Sequence, residues 1–380
     1  MSDLYADIRP FNDLEVKPAL DRLLASDEMM AALLKYRFPK APGILQPLLQ
    51  PLFKSLVQSQ FKRLNSVEAF QLWMEPKVAQ LLQQSTDTVE VSGLDQLDPE
   101  KTHVWISNHR DIAMDPTMIN YSLHLAGWPT SRIAIGDNLL ENPDVADVMR
   151  LNKSFVVKRN IDNNRQKLKE LQRLSAYIRH SVSEGESIWI AQREGRAKDN
   201  IDRTDTAVLK MLALHGRSSK ESFSETMQQL NPVPVSIQYE WDPCDVLKAR
   251  ELVMLAQTGS YQKEDEEDVR SILLGLTGCK GKVKVNFGRP LTQAEVQDAD
   301  TMANCIDQQL ADMAEIWPVH WAAAELLQPE SDLALPEGTR RHEVDDKKVQ
   351  LEQRLSGVSD SVRQQMLTNY AVGCLSDTRN

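Results

Sequence analysis

Seven short apolar runs rich in β-branched residues, spread between residues 88 and 291, constrain the fold of this 380-residue chain most. TVEVSG (88–93), HVWISN (103–108), RIAIGD (132–137), SFVVKR (154–159), SIWIAQ (187–192), PVPVSIQYE (232–240) and KVKVNFGRPL (282–291) each suit an extended strand. Most are separated by segments with three- and four-residue apolar spacing, notably DPTMINYSLHLAG, NPDVADVMRLN and NNRQKLKELQRLSAYIRHSVSEG. Strands alternating with helices predict an α/β fold: a mixed, largely parallel sheet flanked by helices, with further helices added at both ends. Ligand sites in such sheets gather at the carboxyl ends of strands. NHRDIAMDP (108–116) and REGR (193–196) fall at such positions.

The flanks read differently. Residues 1–86 form an N-terminal helical region, 87–291 the α/β domain, 292–328 C-terminal helices packed on that domain, and 329–380 a polar, loosely held tail with one helix around VQLEQRL to QQMLTNYAV. In the first region LQPLLQPLFKSLVQSQFKRL is amphipathic, with Lys54, Lys62 and Arg63 as its only charges. Such a stripe either packs on its own domain or lies on a membrane surface.

Charge and cysteine usage narrow the function classes. The net charge of −11 disfavours nucleic-acid binding. Residues 150–203 nevertheless hold thirteen Lys/Arg against seven Asp/Glu, a net of +6 inside a remainder carrying −17. That segment is either a solvated helix face or an attractor for an anionic ligand. Cys244, Cys279, Cys305 and Cys374 lie far apart with no CxxC pair, which argues against a structural zinc site and fits a reducing compartment. No signal-peptide pattern and no ~20-residue apolar run is present, so a cytoplasmic protein is expected.

The familiar catalytic signatures fail: the chain has no GxSxG, GxGxxG or HExxH. GLTGCKGKV (275–283) has Val283 where a phosphate loop needs Ser or Thr. NHRDIAMDP remains. His109 follows a strand, and Asp115-Pro116 suits a helix start, with Asp as N-cap and Pro at the first helical position. A carboxylate beside a strand-end histidine can orient the ring, accepting from one nitrogen and leaving the other to take a proton. Asp111, two residues from His109, competes with Asp115 for that role.

NHRDIAMDP resembles the first block of the glycerolipid acyltransferase family, the glycerol-3-phosphate and lysophosphatidate acyltransferases and their relatives. SFVVKRN (154–160), SIWIAQREGRAKD (187–199) and NPVPVSIQY (231–239) resemble its second, third and fourth blocks in order. The resemblance spans roughly residues 87–290. It departs from the family where five residues, not four, separate His109 from Asp115, and where Glu194-Gly195-Arg196 lacks the threonine of a Glu-Gly-Thr-Arg signature. These departures suggest a divergent branch. LPEGTRR (335–341) matches that signature more literally, but it follows no apolar strand and lies after the fourth block.

The resemblance implies transfer of a fatty acyl group from a CoA or acyl-carrier-protein thioester to a hydroxyl of a phosphorylated glycerol or lysophospholipid acceptor, in phospholipid biosynthesis. His109 would be the general base, since histidine ordinarily titrates at about 6.5, and Asp115 its partner, preferred over Asp111. Lys158, Arg159, Glu194, Gly195 and Arg196 would bind the acceptor and its phosphate, with Asn108, Arg110 and Asp111 as further site candidates. No metal and no cofactor beyond the acyl donor is expected, and membrane contact would be peripheral. The rival functions are an acyl thioester hydrolase and a non-catalytic peripheral lipid-binding protein.

Overall fold

All seven apolar runs are strands in the computed structural model, which describes residues 3–38, 46–159, 161–217, 219–264, 266–331 and 333–375. They are β1 (Thr88–Ser92), β2 (Val104–Ser107), β3 (Arg132–Gly136), β4 (Ser154–Val157), β5 (Ile188–Ala191), β6 (Pro232–Tyr239) and β7 (Lys282–Phe287). Asn160, of the second block, and Leu45, of the amphipathic stretch, lie outside the described residues. The strand order is β1-β7-β6-β2-β5-β3-β4. β1 runs parallel to β7, β2 to β6, and β3 to both β4 and β5, while β6 and β7 are antiparallel. The sheet is therefore mixed and mostly parallel, flanked by helices.

β6 carries two prolines although it pairs on both sides. The β6–β7 ladder ends at Val235↔Phe287, and beyond it the carbonyls of Pro234 and Pro232 accept from Gly288 N (2.8 Å) and Leu291 N (3.0 Å). A residue's N–H and C=O point to the same side of a strand. The missing proline donors would thus face the 288–291 segment rather than β2, and no β2 bond is lost.

By compactness the chain divides into Met1–Gln80 with Pro129–Trp189, and Leu81–Trp128 with Ile190–Asn380; the division falls within β5. In the first unit, helix Asp13–Ala25 starts at an Asn12–Glu15 capping box and buries Val16, Ala19, Leu20 and Leu23. These pack with Val57 and Phe61 of helix Gln46–Phe61. That helix also leaves Leu52 73% and Leu56 55% exposed, so only one of its apolar faces is used within the unit.

In the second unit β2 is wholly buried, and helix Met114–Leu125 follows it. Where one terminal helix is expected, two form: Arg341–Arg354 and Asp360–Ala371, separated at Ser356–Ser359 with Ser359 at the second N-cap. Their buried Leu351, Leu355, Val362, Met366 and Tyr370 share a core with Trp241 and Trp317. The segment's polar composition hides this stripe, because its apolar residues are few and widely spaced. Among the described residues no helix is long and apolar enough to cross a membrane.

Candidate active site

The site begins where β2 stops. Asn108, fully buried, uses its side chain as a strand backbone would: Nδ2 donates to Ile237 O (3.0 Å) and Oδ1 accepts from Ile237 N (2.8 Å). This pins the exit of β2 to β6 and sets the position of His109. Asp111 then closes the turn that leads into the helix, its Oδ1 accepting from Ala113 N (3.0 Å) and Met114 N (2.9 Å). The N-cap position expected of Asp115 is instead Ala113, and the helix opens at Met114, one residue before Asp115.

Asp115 is released for another task. Its Oδ2 accepts from Arg110 N (2.6 Å) and Asp111 N (2.9 Å) and stands 2.8 Å from His109 Nδ1. Its Oδ1 accepts from the Tyr239 hydroxyl (2.9 Å). The carboxylate is 0% exposed, while the His109 side chain keeps 15%. Such burial of a charge is sustainable only with donors on both oxygens and a helix N-terminus beneath it. An ionised carboxylate only accepts, so Nδ1 carries the ring proton and Nε2 is the basic nitrogen.

The third block adjoins the first by backbone bonds: Gln192 N donates to Ser107 O (2.8 Å) and Ala197 N to His109 O (2.8 Å). Between them Gly195 adopts φ +74°, a left-handed turn suited to glycine, and Glu194 is exposed. Arg196 is buried, with Nη2 3.4 Å from Ser271 Oγ and no hydrogen-bond partner for Nη1 among the described residues. Ser271 and Gly275 lie on the buried face of helix Glu267–Thr277. A Cβ at Gly275 would stand 2.0 Å from Asp111 Oδ2, so only glycine lets this helix meet the carboxylate. Arg110 is engaged by Asp202 Oδ2 (2.7 Å) and by Asn200 Oδ1 (3.1 Å) and O (3.2 Å).

Burial, and then the Asp115 charge, push the Asp111 carboxyl up. Burial likewise raises Asp202, against the pull of Arg110. Tyr239 is pushed well above its ordinary range by burial and by the charges of Asp115 and Asp111. It stays a phenol, able to donate. Sequence reasoning missed Tyr239, Asn200 and Asp202; the first stands in the fourth-block run, but nothing in its spacing signals a bond to Asp115.

Lys158 and Arg159 belong to the other compact unit. There Lys158 Nζ pairs with Asp7 (2.8 Å) and Glu170 (3.2 Å), and Arg159 N donates to the Asp137 carboxylate at 3.3 Å. LPEGTRR forms a turn into helix Arg341–Arg354, where Arg341 pairs with Glu325 (2.5 Å). Among the described residues no group of His, Cys, Asp and Glu is arranged to hold a metal.

Residues 88–237 match the model of the Acyltransferase family. No curated protein matches the chain. Among solved structures it is similar to the 1-acyl-sn-glycerophosphate (LPA) acyltransferase PlsC from Thermotoga maritima, at 13% identity and a TM-score of 0.38, over 65% of this chain and 79% of that one.

Proposed function

We propose, from the premise that residues 88–237 belong to the acyltransferase family, that this chain moves a fatty acyl group from a CoA or acyl-carrier-protein thioester to a hydroxyl of a glycerol-phosphate-type acceptor. The observation that carries the reading is the His109 Nδ1–Asp115 Oδ2 contact of 2.8 Å, made to a wholly buried carboxylate. An alcohol is a weak nucleophile at neutral pH and needs a base as it attacks. Nε2 of His109 takes the hydroxyl proton as the oxygen bonds to the thioester carbon. Asp115 stabilises the imidazolium formed. Collapse of the tetrahedral intermediate expels the thiolate, which recovers the proton from His109. No protein nucleophile is needed, in keeping with the missing serine elbow.

Arg196 suits an anionic head group, since it is tied by backbone bonds beside His109 and its Nη1 has no described hydrogen-bond partner. Anchoring a remote phosphate positions the hydroxyl for attack. Lys158, Arg159, Glu194 and Gly195 enter as acceptor contacts on the family resemblance; Lys158 would have to exchange Asp7 and Glu170 for substrate. The exposed Leu52 and Leu56 supply an apolar surface for peripheral contact with lipid.

The test is a panel of acyl-CoA and acyl-carrier-protein donors crossed with phosphorylated and unphosphorylated alcohols, read by mass spectrometry. Expected is an O-acylated phosphorylated acceptor, with thiol release dependent on that acceptor. Thiol release of equal rate without any alcohol would replace this reading with thioester hydrolysis.

A further inference from the structure

Asp115 receives three donors on one oxygen, all from its own turn, and one donor on the other from a different strand. Backbone N–H groups of Arg110 and Asp111 and the His109 ring converge on Oδ2, whereas Oδ1 is met by Tyr239 from the carboxyl end of β6. A carboxylate held on one oxygen alone can still pivot about its Cβ–Cγ bond. A donor on the second oxygen, from a separate element, fixes its plane. The β2–β6 register pairs Ser107 with Val235, and the Asn108 clamp on Ile237 extends that pairing past the strand's end. Tyr239 thereby arrives opposite the first turn of helix Met114–Leu125.

We propose that Tyr239 is a positioning residue for the His109–Asp115 pair: its hydroxyl orients the carboxylate and draws charge from it, setting how strongly Asp115 holds the imidazolium. The proposal rests on His109 being the base. Tyr239 can serve because it remains a donor, burial and the neighbouring carboxylates keeping its phenol protonated.

The other charges around the pair come from several elements. Asp111 shares its turn; Arg110 and Asp202 lie on the Asn108 side. Asp242, beyond β6, is ion-paired to Lys248, and Arg196 acts on both Asp111 and Asp242. Removing one phenolic oxygen alters none of these charges. A changed pH profile can then be assigned to the lost donor.

The experiment compares pH profiles of kcat/KM for the full chain, for Tyr239→Phe, for a chain with fluorotyrosine at position 239, and for His109→Ala. Without the hydroxyl, Asp115 binds the imidazolium more strongly, so the acidic limb in Tyr239→Phe moves to higher pH by about half a unit. kcat falls roughly tenfold, the scale of one hydrogen bond, with KM for donor and acceptor unchanged. Fluorotyrosine is a stronger donor and moves the limb to lower pH. It also preserves the ring's shape, so it decides the matter if Tyr239→Phe fails to fold. Limbs that coincide with the native profile, or that move the same way in both variants, overturn the role of Tyr239. Activity retained by His109→Ala would instead overturn the base assignment, a separate result.

Discussion

Burial pushes the His320 imidazole down to about 4, with the Arg110 charge adding to the effect. Its Nδ1 accepts from Trp317 N at 2.9 Å, capping helix Pro318–Leu327. The folded chain thus holds this ring neutral where the unfolded chain, titrating at about 6.5, already binds a proton. Stability from His320 is complete above that value and is lost as pH falls from there toward 4. Thermal midpoints at pH 7 and pH 5 should drop by several degrees more in the native chain than in His320→Gln, which keeps an acceptor but no titratable ring. Equal drops would show that His320 does not contribute. The same difference between local and tertiary surroundings governs what could be read at this scale. His109 and Asp115 stand out because a strand end and an Asp-Pro pair are local signals. The helix begins at Met114, two residues before the Pro116 start that the Asp-Pro pair suggests, so Asp115 falls inside the helix rather than at its cap. Tyr239 is illegible without the β2–β6 register, because 124 residues separate it from Asp115.

Strands were the most readable elements, since alternating Val and Ile runs bounded by turn residues have few other stable forms. The two prolines of β6 did not prevent that reading: they fall where the β7 ladder has ended. The terminal helices were less readable, as a handful of apolar residues spread over two elements gives little periodic signal. Helix Gln46–Phe61 presents the opposite case, with more apolar surface than its unit covers. Replacing Leu52 and Leu56 with Asp removes apolar area at exposed positions, so folding should be unaffected. Each fully inserted leucine contributes roughly 1.5–3 kcal/mol, so liposome co-sedimentation should weaken by at least tenfold. Unchanged sedimentation would assign lipid contact elsewhere or nowhere.

On the scale of the molecule, the candidate site draws on more than the family-matched residues 88–237. Asn200, which holds Arg110, donates through Nδ2 to Asn369 O (3.0 Å), and Asn369 in turn donates to Lys198 O (2.9 Å). The last helix therefore braces the loop that carries the third block's exit. Tyr370 and Arg354 add bonds to Asp245 from the same C-terminal segment, the former at 2.8 Å. Gly275 and Ser271, also outside the match, pack on Asp111 and Arg196. No local pattern announces these roles, because each depends on elements distant in sequence. What unites them is a single imidazole beside a buried acid, and acyl transfer by His109→Ala, with the thermal midpoint measured alongside, tests that arrangement most directly. Expected is a midpoint within a few degrees of the native chain and a rate lower by roughly 10²–10⁴, the range for a general base. Native-level transfer by a folded His109→Ala chain would contradict it.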